Sequence, residues 1–324
     1  MSSHIKVLYT GGTIGMQASA NGLAPAAGFE ARMREQLPTY AGLAWSLREM
    51  APLIDSANMT PAYWQRLRAA IVEAVDDEGC SGVLVLHGTD TLAYSAAAMA
   101  FQLLGVNVPV LFTGSMLPAG VANSDAWENL DGALRALAGG LQAGVQLYFH
   151  GELLAPTRCA KVRSFGRHPF ARLRRNGNGQ PSVEAPAELH YRRALQPACV
   201  AVLPLVPGFG ARPLQAMLDS GVQGLVLECF GSGTGPCDDP TFLAALQSAQ
   251  ARDIVVVAVT QCHEGGVELD IYEAGSRLRT VGVLSGGGMT REAAFGKLHA
   301  LLGAGLSHTE VRRLVELDLC GELA

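Results

Sequence analysis

The sequence predicts an α/β fold with a larger N-terminal domain, built on a doubly wound parallel sheet, and a smaller C-terminal α/β domain. Three observations carry this. Short apolar runs of strand length alternate with helical stretches through the first half of the chain, as buried parallel strands joined by helical crossovers require. A less apolar, arginine-bearing stretch over residues 172–197, containing Asn176-Gly177-Asn178-Gly179, breaks the pattern, and alternation restarts at residue 200. The 324 residues are too many for one typical core and enough for two. The expected divisions are an N-terminal domain over 1–188, a linker over 189–199 and a C-terminal domain over 200–324.

Taken in order, residues 5–9 (IKVLY) are β-favouring and read as the first strand. Residues 16–28 are rich in Ala, Gly and Pro, show no periodicity, and read as a mobile loop able to act as a lid or as a plain surface crossover. Helical spacing marks 29–37 and 61–73, the second opened by Pro61 at a position that favours proline. Strands follow at 82–86, 108–112 and 145–149, separated by helices at 92–104 and 125–137. After the irregular stretch the pattern is strand 200–206, helix 213–218, strand 224–230, a glycine-rich loop at 231–235, helix 242–251 and strand 254–259, with helices at 289–302 and 309–317 closing the chain. There is no internal repeat.

Composition narrows the function. A net charge of −5 and a single tight basic cluster, Arg172, Arg174 and Arg175, do not make a nucleic-acid or anionic-membrane footprint. The apolar runs are far shorter than the ~20 residues needed to span a bilayer. Seven cysteines, an odd number without C-x-x-C spacing, in a chain opening without a signal-peptide pattern, read as reduced cytoplasmic thiols. Of the 24 basic residues only Lys6, Lys161 and Lys297 are lysine. A soluble enzyme for a small substrate fits this profile.

Two stretches carry the chemistry. Thr10-Gly11-Gly12-Thr13-Ile14-Gly15 follows the first strand, and its glycines let the backbone turn sharply beside a ligand while presenting hydroxyls at a strand's carboxyl end. The same threonines can equally satisfy local backbone donors. His87-Gly88-Thr89-Asp90-Thr91 repeats the arrangement after a second apolar strand. Two such turns can meet at one sheet edge. Asp90 also stands where an aspartate commonly caps a helix.

Together the two stretches resemble the signature motifs of the bacterial-type L-asparaginases, and the chain is most similar to the cytosolic, type I branch. Asp55-Ser56-Ala57-Asn58-Met59-Thr60-Pro61, Thr113-Gly114-Ser115-Met116-Leu117-Pro118, Asn123-Ser124-Asp125, Met289-Thr290 and Gly321-Glu322-Leu323 extend the resemblance in family order over nearly the whole chain. The resemblance implies hydrolysis of L-asparagine to L-aspartate and ammonia. Thr13 would be the nucleophile that forms an acyl-enzyme, and Thr89, Asp90 and Lys161 a hydrogen-bonded triad beside it. Lysine, unlike arginine, can serve as a proton acceptor when burial and a polar network lower its pKa. Asp90 would meet the substrate's α-ammonium, Ser56 and the Asp55 backbone its α-carboxylate, Gly12 and Gly88 would expose backbone donors, and Ser115 would touch the side-chain amide. The family implies a homodimer or homotetramer, no cofactor and no metal. Glutamine is longer by one methylene, which discriminates by only ~1–3 kcal/mol, so its turnover stays open.

The chain departs from the family pattern in three places. Leu23 stands where the lid usually carries a tyrosine, so the lid hydroxyl is dispensable, or another group such as Tyr40 reaches in, or the site binds an amino acid or altered amide without efficient asparagine turnover. Cys159-Ala160-Lys161 has alanine where some cytosolic members have threonine. Glu228-Cys229-Phe230-Gly231 puts an acid where members with a regulatory asparagine site have a base, which implies non-cooperative kinetics.

Rival readings lack their residues. A G-x-G-x-x-G ending at Gly15 would need glycine at Thr10, His263-Glu264 lacks the second histidine of a zinc-protease helix, and no G-x-S-x-G occurs. His87 and His150, at strand ends, read as structural. The related amidotransferase subunit for Gln-tRNA synthesis carries an extra N-terminal domain, for which a first strand starting at Ile5 leaves no room.

Overall fold

The computed structural model describes residues 3–38, 40, 43–173 and 184–323, so Arg174, Arg175 and the Asn-Gly repeat of the expected irregular stretch lie outside the described residues. The chain divides into two units, one running to Arg172 and taking in His190–Arg192, the other comprising Leu173–Leu189 and everything from Arg193.

In the first unit the strands are β1 (Ser3–Gly11), β2 (Met16–Ser19), β3 (Gly22–Pro25), β4 (Leu43–Ile54), β5 (Gly82–Leu86), β6 (Pro109–Thr113), β7 (Gly144–Phe149), β8 (Glu152–Leu154), β9 (Cys159–Lys161) and β10 (Phe170–Arg172). The helices are α1 (Phe29–Gln36), α2 (Pro61–Asp76), α3 (Leu92–Gln102) and α4 (Ala126–Ala138). The main sheet runs in the order β4-β1-β5-β6-β7-β8 and is parallel except for β8 at its edge. β5, all five residues buried, reads in the sequence as an unbroken apolar run because both its faces are covered. Leu84 and Leu86 face a core with Tyr9, Phe29, Met33, Leu130 and Leu134 under α1 and α4. Val83 and Val85 alternate to the opposite face, toward α2 and α3, where Trp64 Nε1 donates to Ser95 Oγ at 2.8 Å. Thr60 caps α2 by accepting from Tyr63 N, and Pro61 fills the first turn as expected.

Besides the three-residue strands β8, β9 and β10, which were not expected, two features of this unit differ from expectation. The loop over 16–28 contains the antiparallel hairpin β2–β3, with Ser19 opposite Gly22 and Ala18 opposite Leu23. A two-residue turn, Ala20-Asn21, followed by Gly22 at φ 110° closes it, and four-residue strands with little apolar alternation leave too short a pattern to read. β4, twelve residues long, was not anticipated at all. It is an edge strand mixing Arg48, Glu49 and Pro52 with apolar residues, so it has neither a continuous nor an alternating apolar pattern. Its register against β1 shifts between Tyr9 and Gly11, which brings Gly11 opposite Ile54.

The second unit holds a parallel sheet, β11 (Val200–Pro204), β12 (Gly224–Cys229), β13 (Val255–Thr260) and β14 (Leu284–Ser285), in that order. Its helices are α5 (Ala211–Asp219), α6 (Pro240–Ala251), α7 (Glu273–Thr280), α8 (Arg291–Gly303) and α9 (His308–Val315). Leu214 and Leu218 of α5, Phe242 and Leu246 of α6 and Leu278 of α7 bury one sheet face with Leu225, Leu227 and Val256. α7 and β14 were not expected, the helix being mostly polar and the strand only two residues long.

Candidate active site

In the first sheet the chain leaves β1 toward β4 on one side, while β5 leads to β6 on the other. The topological switch point therefore lies between β1 and β5, where open α/β sheets bind ligands. The two glycine-threonine stretches are the loops at that point.

After β1, Gly12 adopts φ 78° and opens a short 3₁₀ turn, Thr13–Gly15. Thr13 is half-buried and Ile14 fully buried, so the turn is pinned by its apolar residue while the threonine stays accessible. Gly12 and Gly88 meet backbone to backbone: a methyl group on Gly12 would lie 2.3 Å from the N and Cα of Gly88. A methyl on Gly88 would lie 2.5 Å from Ser56 Oγ. Gly12, Gly88 and Ser56 are thus one contiguous surface made from the ends of three strands. Thr10, inside the first motif, donates its hydroxyl to Leu86 O at 2.9 Å, the local structural role open to such a threonine.

Thr89, Asp90 and Lys161 come together. Lys161 Nζ donates to Thr89 Oγ1 at 2.9 Å and to Asp90 Oδ1 at 2.6 Å. Thr89 is buried, Lys161 keeps 16% of its side-chain surface exposed, and Asp90 keeps 62%. The lysine arrives from the β9–β10 ribbon, with Lys161 paired to Phe170. Asp90 does not cap a helix. α3 starts after Thr91, which caps it without a side-chain bond and donates its own hydroxyl to Ser56 O at 2.8 Å, leaving the Asp90 carboxylate to the lysine.

His87 sets the second loop from behind. Its ring is completely buried, which pushes its pKa down to about 4, and the neutral ring donates Nδ1–H to Gly88 O at 2.7 Å. His150, at φ 48°, donates its backbone N–H to Asn129 Oδ1. The His87 ring is structural, as its position suggested, while at His150 the bond is made by the backbone.

The remaining candidates are placed less directly. Asp55 Oδ1 accepts from Ala57 N and caps the turn Ser56–Asn58, so its side chain is occupied and its backbone carries Ser56 into the site. Ser115 lies on the loop after β6, fully buried, with its hydroxyl donated to Leu117 O at 2.6 Å. Leu23 sits on the hairpin with 55% of its surface exposed. Tyr40 does not supply a hydroxyl in its place: it donates to Asp131 Oδ1 at 2.7 Å, and burial with that bond raises its pKa.

Sequence reasoning missed the residues that hold the loops. Asp125 accepts from Met116 N and Leu117 N, Asn129 Nδ2 donates to Gly114 O, Trp127 Nε1 to Ala119 O and Arg32 to Gly15 O. The Asn123-Ser124-Asp125 stretch was the one available signal for this layer.

Comparison with known proteins covers nearly the whole chain. The family description "Asparaginase, N-terminal" matches residues 4–191, and "Glutaminase/Asparaginase C-terminal domain" matches 199–315. The chain is 36% identical to L-asparaginase 1 of Escherichia coli K12 over 338 aligned positions, covering 98% of this chain and 97% of that one. Among solved structures it is similar to the thermostable L-asparaginase of Thermococcus kodakarensis, with a TM-score of 0.86, 31% identity and 99% of both chains covered. L-asparaginase I of Vibrio cholerae O1 superposes with a TM-score of 0.83 at 32% identity over 100% of both chains.

Proposed function

The chain belongs to the asparaginase family, and from that premise we propose that it is an amidohydrolase converting L-asparagine and water to L-aspartate and ammonia through an acyl-enzyme on Thr13. The observation that carries the reading is Lys161 Nζ in contact with both Thr89 and Asp90, beside a threonine turn packed on Gly88.

An amide is a weak electrophile with a poor leaving group, so the site has to activate the hydroxyl, hold the oxyanion and protonate nitrogen. Thr13 Oγ1 attacks the side-chain amide carbon, and its proton passes through Thr89 to Lys161 Nζ. The Gly12 N–H, expected as a donor, is spent on Ile54 O at 2.9 Å, so backbone N–H groups that follow the two glycines hold the developing oxyanion. The C–N bond breaks as nitrogen takes the proton back and leaves as ammonia; water then attacks the Thr13 ester and releases aspartate and the threonine hydroxyl.

Substrate orientation follows from the charges. Asp90 spends Oδ1 on Lys161, and Oδ2 is the oxygen left for the α-ammonium. Ser56 Oγ and the Asp55–Ser56 backbone meet the α-carboxylate. Ser115, its proton given to Leu117 O, accepts from the amide –NH₂ through its lone pairs. The chemistry calls for no cofactor. The same reading takes the protein to be a cytoplasmic homodimer or homotetramer that carries its catalytic residues in the domain over 1–188, joined by the linker 189–199 to 200–324. Among the described residues no helix is long and apolar enough to cross a membrane.

Exposed Leu23 favours one second reading, an amino-acid-binding protein or an amidase of altered substrate, because leucine can neither donate nor accept a proton at the lid. The test is steady-state ammonia release from L-asparagine, L-glutamine and D-asparagine, with Thr13→Ala as control. Asparagine turnover that falls about a thousand-fold or more in the variant supports the acyl-enzyme. Folded protein that releases no ammonia yet melts higher with asparagine supports the binding protein.

A further inference from the structure

A three-residue 3₁₀ turn cannot hold itself in place. Within Thr13–Gly15 and its flanks the bonds are Gly15 N–H to Gly12 O at a long 3.3 Å and Met16 N–H to Thr13 O. The two carbonyls that follow Thr13 are instead held from outside. Ile14 O accepts from Ala119 N at 3.0 Å, and Gly15 O accepts from the Arg32 guanidinium at 3.2 Å. Those donors are joined behind the turn. Arg32 lies over the Phe29 ring at 4.8 Å, Phe29 stacks on Trp127 at 6.0 Å and 7°, and Trp127 Nε1 donates to Ala119 O at 3.1 Å. The contacts form a circuit that runs from the Ile14 carbonyl to the Gly15 carbonyl. Tyr9 packs on Phe29 and fills the space under Gly15, where a methyl group would fall 1.8 Å from its hydroxyl.

We propose that Arg32, Phe29 and Trp127 form a clamp that fixes the orientation of the Thr13 turn, acting as positioning residues that never touch substrate. The inference rests on Thr13 being the nucleophile. Alignment of attack is sensitive to displacement on the scale of 1 Å, so a loosened clamp lowers kcat while the substrate's charged groups, bound by other loops, keep KM.

The test compares Arg32→Met, Arg32→Lys, Trp127→Phe and the double variant Arg32→Met/Trp127→Phe. Trp127→Phe keeps an aromatic stack and loses the indole donor. The expected result is a fall in kcat of about 10- to 100-fold in Arg32→Met and Trp127→Phe, with KM within about threefold. Arg32→Lys, which retains a cationic donor, recovers most of kcat, and the double variant is little worse than the poorer single one because both act through one turn. Amide hydrogen exchange at Gly15 and Met16 of the unliganded protein accelerates in parallel. Unchanged exchange in folded Arg32→Met, a loss confined to KM, or fully additive effects would overturn the clamp. If Trp127→Phe does not fold, Arg32→Met decides, since Arg32 is half-exposed. If the parent protein releases no ammonia the nucleophile reading fails, and the exchange measurement alone still tests the clamp.

Discussion

Gly12 and Gly88 lie in direct backbone contact at the ends of adjacent parallel strands, and neither has room for a β-carbon. The two positions differ in what a methyl group would strike. At Gly12 it meets the backbone of Gly88 at 2.3 Å from a residue already at φ 78°; at Gly88 it meets the Ser56 side chain, Oγ at 2.5 Å and Cβ at 2.8 Å. Gly12→Ala should therefore cost kcat at least about a hundred-fold through displaced strand ends. Gly88→Ala should act mainly on KM as Ser56 is displaced from the substrate carboxylate. Ammonia-release kinetics on both variants, with thermal melts as a folding control, separate the two.

Lys161 sits between Thr89 and Asp90 at bonding distance to both. If its role is to move a proton, Lys161→Arg, which keeps the charge and the ion pair, should be nearly as inactive as Lys161→Met, each losing about a hundred-fold or more in kcat. Recovery of activity in the arginine variant would reduce Lys161 to an electrostatic partner.

Glu228 is buried and bonded by Arg291, with Nε and Nη2 each 2.7 Å from Oε1. Here a second substrate carboxylate would meet a carboxylate in place of a base, so the dependence of rate on asparagine concentration should be hyperbolic. A sigmoidal curve from the parent protein would show that this acid does not prevent cooperativity.

Lys297 is buried with its ammonium donated to Glu322 Oε1 at 2.6 Å, Leu317 O at 2.6 Å and Val315 O at 2.8 Å, tying the chain's last turn to α8. Burial alone would push the lysine's pKa down, and the Glu322 carboxylate opposes this. Breaking a buried pair from one side leaves a charge uncompensated, so Lys297→Met and Glu322→Gln should each cost about 3–5 kcal/mol of unfolding free energy. The apolar double variant Lys297→Met/Glu322→Leu should recover part of that, measured by chemical denaturation of the second unit's signal.

His87 and His299 are buried rings pushed down from 6.5 to about 4 by desolvation. Their folded pKa lies below the unfolded value, so the unfolded chain takes up protons first as pH falls. The stability they allow is present above about pH 6.5 and lost as pH falls toward 4, by about 3 kcal/mol for each ring. Asp318, raised to about 6 mainly by burial, acts in the opposite sense: it favours the folded state as pH drops from 6 toward its ordinary range. The melting temperature should still fall between pH 6.5 and 4, and His299→Leu should flatten that fall. An unchanged slope would show that His299 does not carry it.

Much of this was legible along the chain. β5 and β13 are unbroken apolar runs because both faces of each are covered, and that burial is a local property of composition. The edge strand β4 was invisible for the converse reason: half in solvent, it has no continuous pattern to read. The hairpin under Leu23 rests on two four-residue strands and a turn, too little periodicity to distinguish from loop.

The candidate site divides the same way. By itself the sequence determined the strand ends and turns that deliver Thr13, Thr89 and Asp90, since glycines after apolar runs force sharp turns at strand ends. Only the tertiary structure decided that Lys161, 72 residues from Thr89, bonds to it, that Asp90 serves this lysine instead of capping α3, and that Ser115 turns its proton into its own loop. The clamp of Arg32, Phe29 and Trp127 belongs to that second class as well. Contacts between residues far apart in the chain depend on strand order and on which helix covers which face, and no local pattern of residue types encodes that geometry.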